Sequence, residues 1–515
     1  MKKLIVAGLV LALAGCDSST PSSQPLGPPE PGVLRVLAGS ELADMQPILD
    51  EAAKATGVEV KFTFSGTIEG ADTLAGSAGQ FDAVWFSSNR YLQTRPEASK
   101  RLGNQVKIMN SPVVLGLTKD AVTRLGWEGK RVTWAEIAEA AGNKAFTYGM
   151  TDPSASNSGF SALVGVASAL AGTGSALTAE QITAVTPGLT KFFSAQTLSA
   201  GSSGWLSEAY QRRSKEVDGL VNYESVLLSM PSQLSLIYPS DGVVSADYPL
   251  TLLNDANDDA RSAHQRLSDY LRTPDVQRRI MDTTKRRPAV PGVALSDQFT
   301  QRDLVELPFP TSHESIDALL SAYFNKIRRP SRTLYVLDTS GSMAGDRIEA
   351  LRAALIALTG ADGTLVGKYR GFRGREEVTM LPFNGRPGTP QTFVVPETNP
   401  QAELDKIKNF AGGLQATGGT AIFDSLIRGY ELLGQPDPAK FTSIVLMTDG
   451  ANTNGSGVGS FESSYGGAKI PVFTVMFGES DSEEMQRVAT LTGGQVFDAR
   501  NTPLAKVFQE IRGYQ

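Results

Sequence analysis

Apolar residues along this 515-residue chain keep two rhythms. Short, nearly continuous apolar runs alternate with stretches in which apolar positions recur at three and four, the signatures of buried strands and of amphipathic helices. Val33 to Ala38 is the first run and closes on Gly39-Ser40, with a helical pattern following from Leu42 to Thr56. Val58 to Phe64 and Phe81 to Ser88 predict the next strands, the former ending at Ser65-Gly66-Thr67; Pro112 to Thr118 and Leu234 to Tyr238 predict two more. From Thr333 onward the runs fall at 333–338, 377–383, 391–395, 442–448, 470–477 and 495–498, with helices between them and a last one from Pro503 to Arg512. The whole reads as α/β, and its last part as a doubly wound parallel sheet.

The strand Leu334 to Leu337 runs into Asp338-Thr-Ser340-Gly-Ser342, after which Asp346 is placed to cap a helix bearing Ile348, Leu351, Leu355 and Leu358. A second helix, Ala421 to Leu433, opens behind Thr417-Gly-Gly-Thr420, and Ser443 to Thr448 is another buried strand that ends in a carboxylate, Asp449. Open α/β sheets bind ligands at the carboxyl ends of their strands, so two carboxylates and three hydroxyls can meet at one edge. Such hard oxygens suit Mg²⁺, which takes about six of them at roughly 2.0–2.1 Å and readily keeps waters. The set resembles the metal-ion-dependent adhesion site of von Willebrand factor type A domains. The resemblance implies that Ser340 and Ser342 bind Mg²⁺ (or Mn²⁺) directly and that Thr420, Asp338 and Asp449 bind it directly or through water. It further implies a protein partner that reaches the metal with an acidic side chain.

The beginning of the chain reads as targeting rather than structure. Lys2 and Lys3 precede an apolar run, Leu4 to Ala14, too short to cross a bilayer and suited to a signal peptide. It closes on Leu13-Ala-Gly-Cys16, which resembles a bacterial lipoprotein cleavage box. The resemblance implies that Cys16 is lipidated and anchors the protein to a membrane, facing the periplasm or the cell exterior. Cys16 is the only cysteine, which excludes an intramolecular disulfide framework. Residues 17–32 are rich in Pro and Ser and predict a semi-extended tether, reaching up to roughly 50 Å at about 3.1 Å per residue. The chain is 41% hydrophobic and 20% charged, ordinary for globular protein, and its net charge of −6 argues against nucleic acid as a partner.

Between residues 33 and 310 several strands end in Ser or Thr ahead of a turn or helix, which sets hydroxyls and free backbone N–H groups along one rim, fit for an anion or polar solute. Plain N-capping produces the same pattern on any single strand. The order of these segments resembles the periplasmic solute-binding proteins of ABC transporters, in the class of molybdate and sulfate binders. That resemblance implies two lobes and a ligand held by Ser40, Ser65 and Thr67 from the first lobe and by Ser158 and Tyr223 from the second. It makes Pro112 to Thr118 the crossing to the second lobe and Leu234 to Tyr238 the return. Gly159, with no side chain, would let an oxyanion approach the helix that opens at Phe160.

Other chemistry finds no support. His264 and His313 stand apart without a metal-ligand cluster, and His264, in a polar helical run, reads as a solvated surface residue. No phosphate loop or dinucleotide fingerprint appears, and nothing asks for enzyme activity. Lys368-Tyr-Arg370-Gly-Phe-Arg373-Gly-Arg375 reads as a solvated basic loop, or more sharply as a contact for lipid head groups or an acidic partner. Gly450 to Gly467 reads as a long loop beside the metal edge. The expected organisation is signal peptide 1–16, tether 17–32, a two-lobed region 33–310, a junction 311–332 too short to let the regions drift apart, and a von Willebrand type A domain 333–515. The expected function is a membrane-anchored binding protein that grips its partner through the metal. The alternative is an ABC-transporter-type receptor for a small oxyanion or polar solute, with the last domain as a docking accessory.

Overall fold

Val33–Ala38 is buried along nearly its whole length and lies inside a parallel sheet, where both faces of such a strand are covered. The computed structural model describes residues 28–300, 302–361, 365–467 and 469–515, so Cys16, the signal segment and tether residues 17–27 lie outside the described residues. The first sheet runs in the order Glu59–Phe64, Val33–Ala38, Ala83–Trp85, Pro249–Leu253, Leu102–Lys107, with Pro249–Leu253 antiparallel to both neighbours. Arg35 is buried within it. Its guanidinium meets Asp82 at 2.8 and 2.9 Å, a bidentate pair that fixes the register of the central strands.

The second sheet is built on the long strand Met109–Leu117, beside Gly219–Tyr223, Tyr148–Thr151 and Gln196–Ala200. The chain crosses from the first lobe at 107–109 and returns at 246–249, where the Ile108 N–H donates to the Tyr248 carbonyl at 3.4 Å. The expected return through Leu234 to Tyr238 is therefore corrected. Ser235–Ile237 pairs with Leu115–Leu117 and stays in the second lobe. Ser235–Ile237 is only partly buried, as suits a flank, whereas Pro249–Leu253 is buried throughout and suits the interior of the first sheet.

His313–Ala322, continued by the turn Tyr323–Ile327, packs on the second lobe, with the Tyr323 ring 4.9 Å from that of Phe193. The third sheet then begins at Ser331–Asp338. Its order is Gln391–Val394, Glu377–Phe383, Ser331–Asp338, Phe441–Thr448, Val472–Met476, Val496–Asp498, all parallel except the first. Counted along the chain this is 3-2-1-4-5-6, so the order reverses between Ser331–Asp338 and Phe441–Thr448 and opens a crevice at their carboxyl ends. Helices Asp346–Ile356, Gln401–Gly412 and Leu504–Ile511 cover one face; Ile422–Leu433, Val458–Tyr465 and Ser482–Thr492 cover the other. Asp346 is the first residue of its helix, behind Gly345, and does not cap it by a side-chain bond. The stretch 450–467, expected as loop throughout, contains the helix Val458–Tyr465, whose Phe461 is fully buried.

The third domain shares a core with the second lobe. Tyr514 packs against Trp205 of that lobe, ring centres 4.6 Å apart, and Leu198, Leu206 and Tyr210 join the same apolar cluster as Leu337, Phe473 and Phe508. A buried charge cluster ties the third domain to Arg328, at the end of the junction helix that packs on that lobe: Glu376 accepts from Arg512 at 2.6 and 2.7 Å and from Arg328, while Arg328 also donates to the Gln515 carbonyl at 2.9 Å. Burial works to raise the Glu376 carboxyl, but Arg512 and Arg328 outweigh it and hold the group below the usual range. The basic run 368–375 is corrected from solvated loop to seam. Tyr369, Arg370 and Phe372 are buried, the Tyr369 hydroxyl donates to Asp317 at 2.7 Å, Lys368 meets Asp317 at 2.9 Å, and Arg373 lies over Phe324 at 4.9 Å.

Candidate metal centre and interlobe cleft

At the crevice of the third sheet the strand Ser331–Asp338 delivers Asp338, whose side chain is fully buried. One carboxylate oxygen accepts from the Ser340 N–H at 2.8 Å and the other from the Thr448 hydroxyl at 2.7 Å. The single turn Gly341–Met343 brings the Ser340 and Ser342 hydroxyl oxygens within 2.9 Å of each other. The Ser342 hydroxyl donates to Asp449 at 2.7 Å, and the far oxygen of Asp449 accepts from Arg347 at 2.6 Å. Four of the five expected ligands thus form one hydrogen-bonded chain.

Thr420 is held beside them by its loop. Thr417 N–H donates to the Thr339 carbonyl at 2.8 Å and Gly341 N–H to the Gly418 carbonyl at 2.9 Å. Gly418 has φ +81°, a left-handed conformation that side chains resist. From the other side the loop after Asp449 clamps the Thr420 backbone N–H through Thr453 Oγ1 (3.0 Å) and Asn454 Oδ1 (3.2 Å), and Asn452 Oδ1 accepts from Ile422 N–H at 2.8 Å.

The chemistry of this set fits a hard divalent cation. Among the described residues no Lys, Arg or His lies within ion-pair distance of Asp338, although the carboxylate is buried. Burial, assisted by the nearby Asp449, pushes its carboxyl above the usual range despite the bonds from Thr448 and Ser340. A buried carboxylate without a cation is costly. Two carboxylates with adjacent hydroxyls are the donors Mg²⁺ takes. Sequence reasoning missed Arg347, Thr448 and the clamp 452–454. Arg347 stands one place inside its helix, where periodicity carries no signal; Thr448 is legible as the last residue of its strand.

In the other region, Ser40 and Ser65 line a cavity of about 330 Å³ between the lobes. Thr67, Ser158 and Tyr223 do not line it, and each has a structural reason. Thr67 is buried at the start of its helix. Ser158 Oγ is buried among the hydroxyls of Thr151 (2.8 Å), Ser203 (2.9 Å) and Ser156 (3.2 Å). The Tyr223 hydroxyl donates to Ser87 Oγ at 2.9 Å and so ties the second lobe to the first. Gly159 serves packing instead of a ligand, since a Cβ there would lie 2.2 Å from the Thr151 carbonyl oxygen. The lobes touch directly: a Cβ on Gly66 would fall 2.4 Å from the Ala155 carbonyl oxygen. Arg370, Lys506 and Tyr514 of the third domain close the cavity. His264 is buried, not solvated. Its Nε2 lies 3.1 Å from the Leu250 carbonyl, and burial pulls its pKa below the ordinary value.

The family model for bacterial extracellular solute-binding proteins matches residues 34–283. The inter-alpha-trypsin inhibitor heavy chain H4 of Sus scrofa is 30% identical over 132 residues, which is 24% of this chain and 13% of that protein, so the chain spans only a small part of this relative. Among solved structures, a periplasmic thiamin binding protein aligns with 59% of this chain and 99% of its own at 15% identity and TM-score 0.47. A von Willebrand factor type A structure from Catenulispora acidiphila aligns with 36% of this chain and 42% of its own at 18% identity and TM-score 0.29. No helix among the described residues is long and apolar enough to cross a membrane. The chain joins a region that matches the family model of bacterial extracellular solute-binding proteins to a doubly wound domain similar to von Willebrand factor type A domains, seated on its second lobe.

Proposed function

We propose that this is an extracytoplasmic binding protein, lipid-anchored through Cys16, whose third domain grips a protein partner at a Mg²⁺ or Mn²⁺ held by Asp338, Ser340, Ser342, Thr420 and Asp449. The observation that carries this reading is the convergence of Asp338, Ser340, Ser342 and Asp449 at the sheet's reversal point, with a buried carboxylate, Asp338, that no cation among the described residues pairs. When bound, the cation supplies a coordination position for a carboxylate. The chain's own residues set the sign of the site. Asp338 and Asp449 against Arg347 leave one negative charge, so a divalent ion turns the edge to one net positive charge and favours an acidic partner. Ser342 and Gly341 are exposed at that edge and the loop after Asp449 flanks it, so the partner meets hydroxyl and backbone groups around the metal.

The test is capture of the partner from membrane extracts by the full chain. Capture should be lost in EDTA, restored by Mg²⁺ and absent in Asp338→Ala. Capture that persists unchanged in EDTA would sink the reading. A second reading, a receptor that hands a small polar solute to an ABC permease, is supported by the family match over residues 34–283 and by the cavity between the lobes. Solute-dependent thermal shift without metal-dependent capture would favour it.

A further inference from the structure

The cavity between the lobes is not made by the lobes alone. The first lobe supplies Ser40, Glu41 and Ser65, the second Asn157 and Ser202, and the third domain Arg370, with Lys506, Glu510 and Tyr514 beside it. The third domain is locked in this position. Lys506 pairs with Glu69 of the first lobe at 2.7 Å, Arg370 donates to the Ser154 carbonyl of the second at 3.3 Å, and a Cβ on Gly201 would lie 2.7 Å from the Tyr514 ring. A ligand in the cavity therefore touches all three units.

Two charged groups on its wall form no ion pair among the described residues, and each keeps a polar atom that bonds nothing. Glu41 folds back over Gly39, and its Oε1 is buried without a hydrogen bond. The nearest guanidinium, Arg286, is engaged elsewhere, with Asp44 at 2.7 Å and with the Glu41 backbone carbonyl at 3.0 Å. Burial pushes the Glu41 carboxyl above its usual range even though its own backbone N–H, Arg286 and Asn157 oppose the shift. Arg370, on the part of the wall that the third domain supplies, is buried, its Nε has no hydrogen-bond partner, and no carboxylate among the described residues lies within ion-pair distance of it. Glu510, on the same wall, is raised by burial; Arg370 opposes that shift from a distance without forming an ion pair with it. Lys506 and Glu69 cancel each other at the rim. Buried charges left unpaired are costly, and a molecule that pairs both recovers that cost at once.

We infer that this cavity binds a small zwitterion of amino-acid size, its ammonium against Glu41 and its carboxylate against Arg370. The volume, about 330 Å³, is at the low end for ligand sites and suits such a molecule. The hydroxyls of Ser40, Ser65 and Ser202 supply neutral hydrogen bonds, and Phe64 and Tyr514 the apolar walls. A plain oxyanion would find Arg370 but would also face Glu41, so the inference changes the expected solute class. It rests on the solute-binding reading of the cleft and is independent of the metal.

The test is calorimetry on the full chain with three sets of probes: the common L-amino acids and γ-aminobutyrate; simple alkylamines; and acetate, sulfate and molybdate. At least one zwitterion should bind tenfold or more tighter than every amine and every anion. Glu41→Gln and Arg370→Gln should each weaken that zwitterion at least tenfold, and Arg370→Lys should recover part of the loss. Melting without probe checks that each variant folds, and either variant alone can carry the test. Absence of zwitterion binding, anions bound as tightly as zwitterions, or affinity unchanged in both Gln variants would overturn the inference. A chain that captures its partner through the metal yet binds no zwitterion would overturn this inference alone.

Discussion

The metal edge and the interlobe cavity hold similar groups in opposite ways. At the metal edge four residues, Asp338, Ser340, Ser342 and Asp449, are linked by hydrogen bonds of 2.7 to 2.9 Å, and all lie at strand ends and the loops that follow, at one end of one sheet. In the cavity the polar groups come from three packed units, and two of the charged ones, Glu41 and Arg370, have polar atoms that bond nothing. The first arrangement is preorganised by its own backbone: the Gly341–Met343 turn and the Gly418 loop hold it whether or not anything is bound. The second depends on how the third domain is docked, so its geometry is only as firm as the seam beneath it. One site follows from local sequence, the other from assembly.

The largest effect expected is at Asp338. Asp338→Ala should reduce Mg²⁺ and Mn²⁺ binding below detection by calorimetry, because no hydroxyl replaces its charge, while the fold survives, since the carboxylate sits at a strand end outside the apolar core. Asp338→Asn, which keeps the shape and removes a buried uncompensated charge, should melt no lower than the parent in EDTA. If it melts several degrees lower, the hydrogen bonds from Thr448 and Ser340 matter more than the charge, and the edge is less preorganised for a cation than argued.

The seam is where the cavity side of the comparison breaks. Glu376→Gln leaves Arg328 and Arg512 buried against a neutral amide, and removing one partner of a buried pair typically costs about 3–5 kcal/mol. The same carboxyl gives a pH signature. Its folded value lies below its unfolded value near about 4.3, so its contribution to stability is complete above that value and is lost as pH falls through the depressed folded one. Acid unfolding of the parent should steepen below about pH 4.3, and that component should vanish in Glu376→Gln. Loosening of the seam should weaken solute binding and spare metal binding. Equal losses at both sites would dissolve the distinction between them.

This difference also explains what could be read from the chain. The strands of the third sheet were legible to within about two residues because doubly covered parallel strands are nearly continuous apolar runs, and the crevice follows from their order. The residues at their ends could be named for the same reason. The run 368–375 was misread because its charges look solvated. Their counterparts, Asp317 for Lys368 and Asn325 for Arg373, lie about fifty positions away in the chain, with no local signal. Tyr223 and Ser158 were named as ligands because a hydroxyl at a strand or helix end looks the same whether it faces solute or another hydroxyl. His264 was misplaced because its bond is to a backbone carbonyl, Leu250, which sequence pattern does not reveal. Glu41 carries no signal in the sequence, and Arg370 reads only as part of a basic run, because nothing local marks a charge as lacking an ion pair.

Smaller effects sharpen the picture of the metal edge. Ser342→Ala should weaken Mg²⁺ about tenfold, roughly 1.4 kcal/mol, since water can stand in for a neutral oxygen. Arg347→Ala should act in the opposite direction. Arg347 meets Asp449 at 2.6 Å with its side chain 37% exposed, so the ion pair is screened and worth at most about 1 kcal/mol. A metal on Asp449 would have to share that carboxylate with the guanidinium and lie close to its charge. Removing the guanidinium should therefore tighten Mg²⁺ by up to about fivefold, and it should also remove one positive charge from the surface an acidic partner approaches. Metal titration and partner capture at low salt should move apart: tighter metal, slower capture. If Arg347→Ala instead weakens Mg²⁺, the arginine's role is to hold Asp449 in place, and the edge then depends on the helix Asp346–Ile356 much as the cavity depends on the third domain.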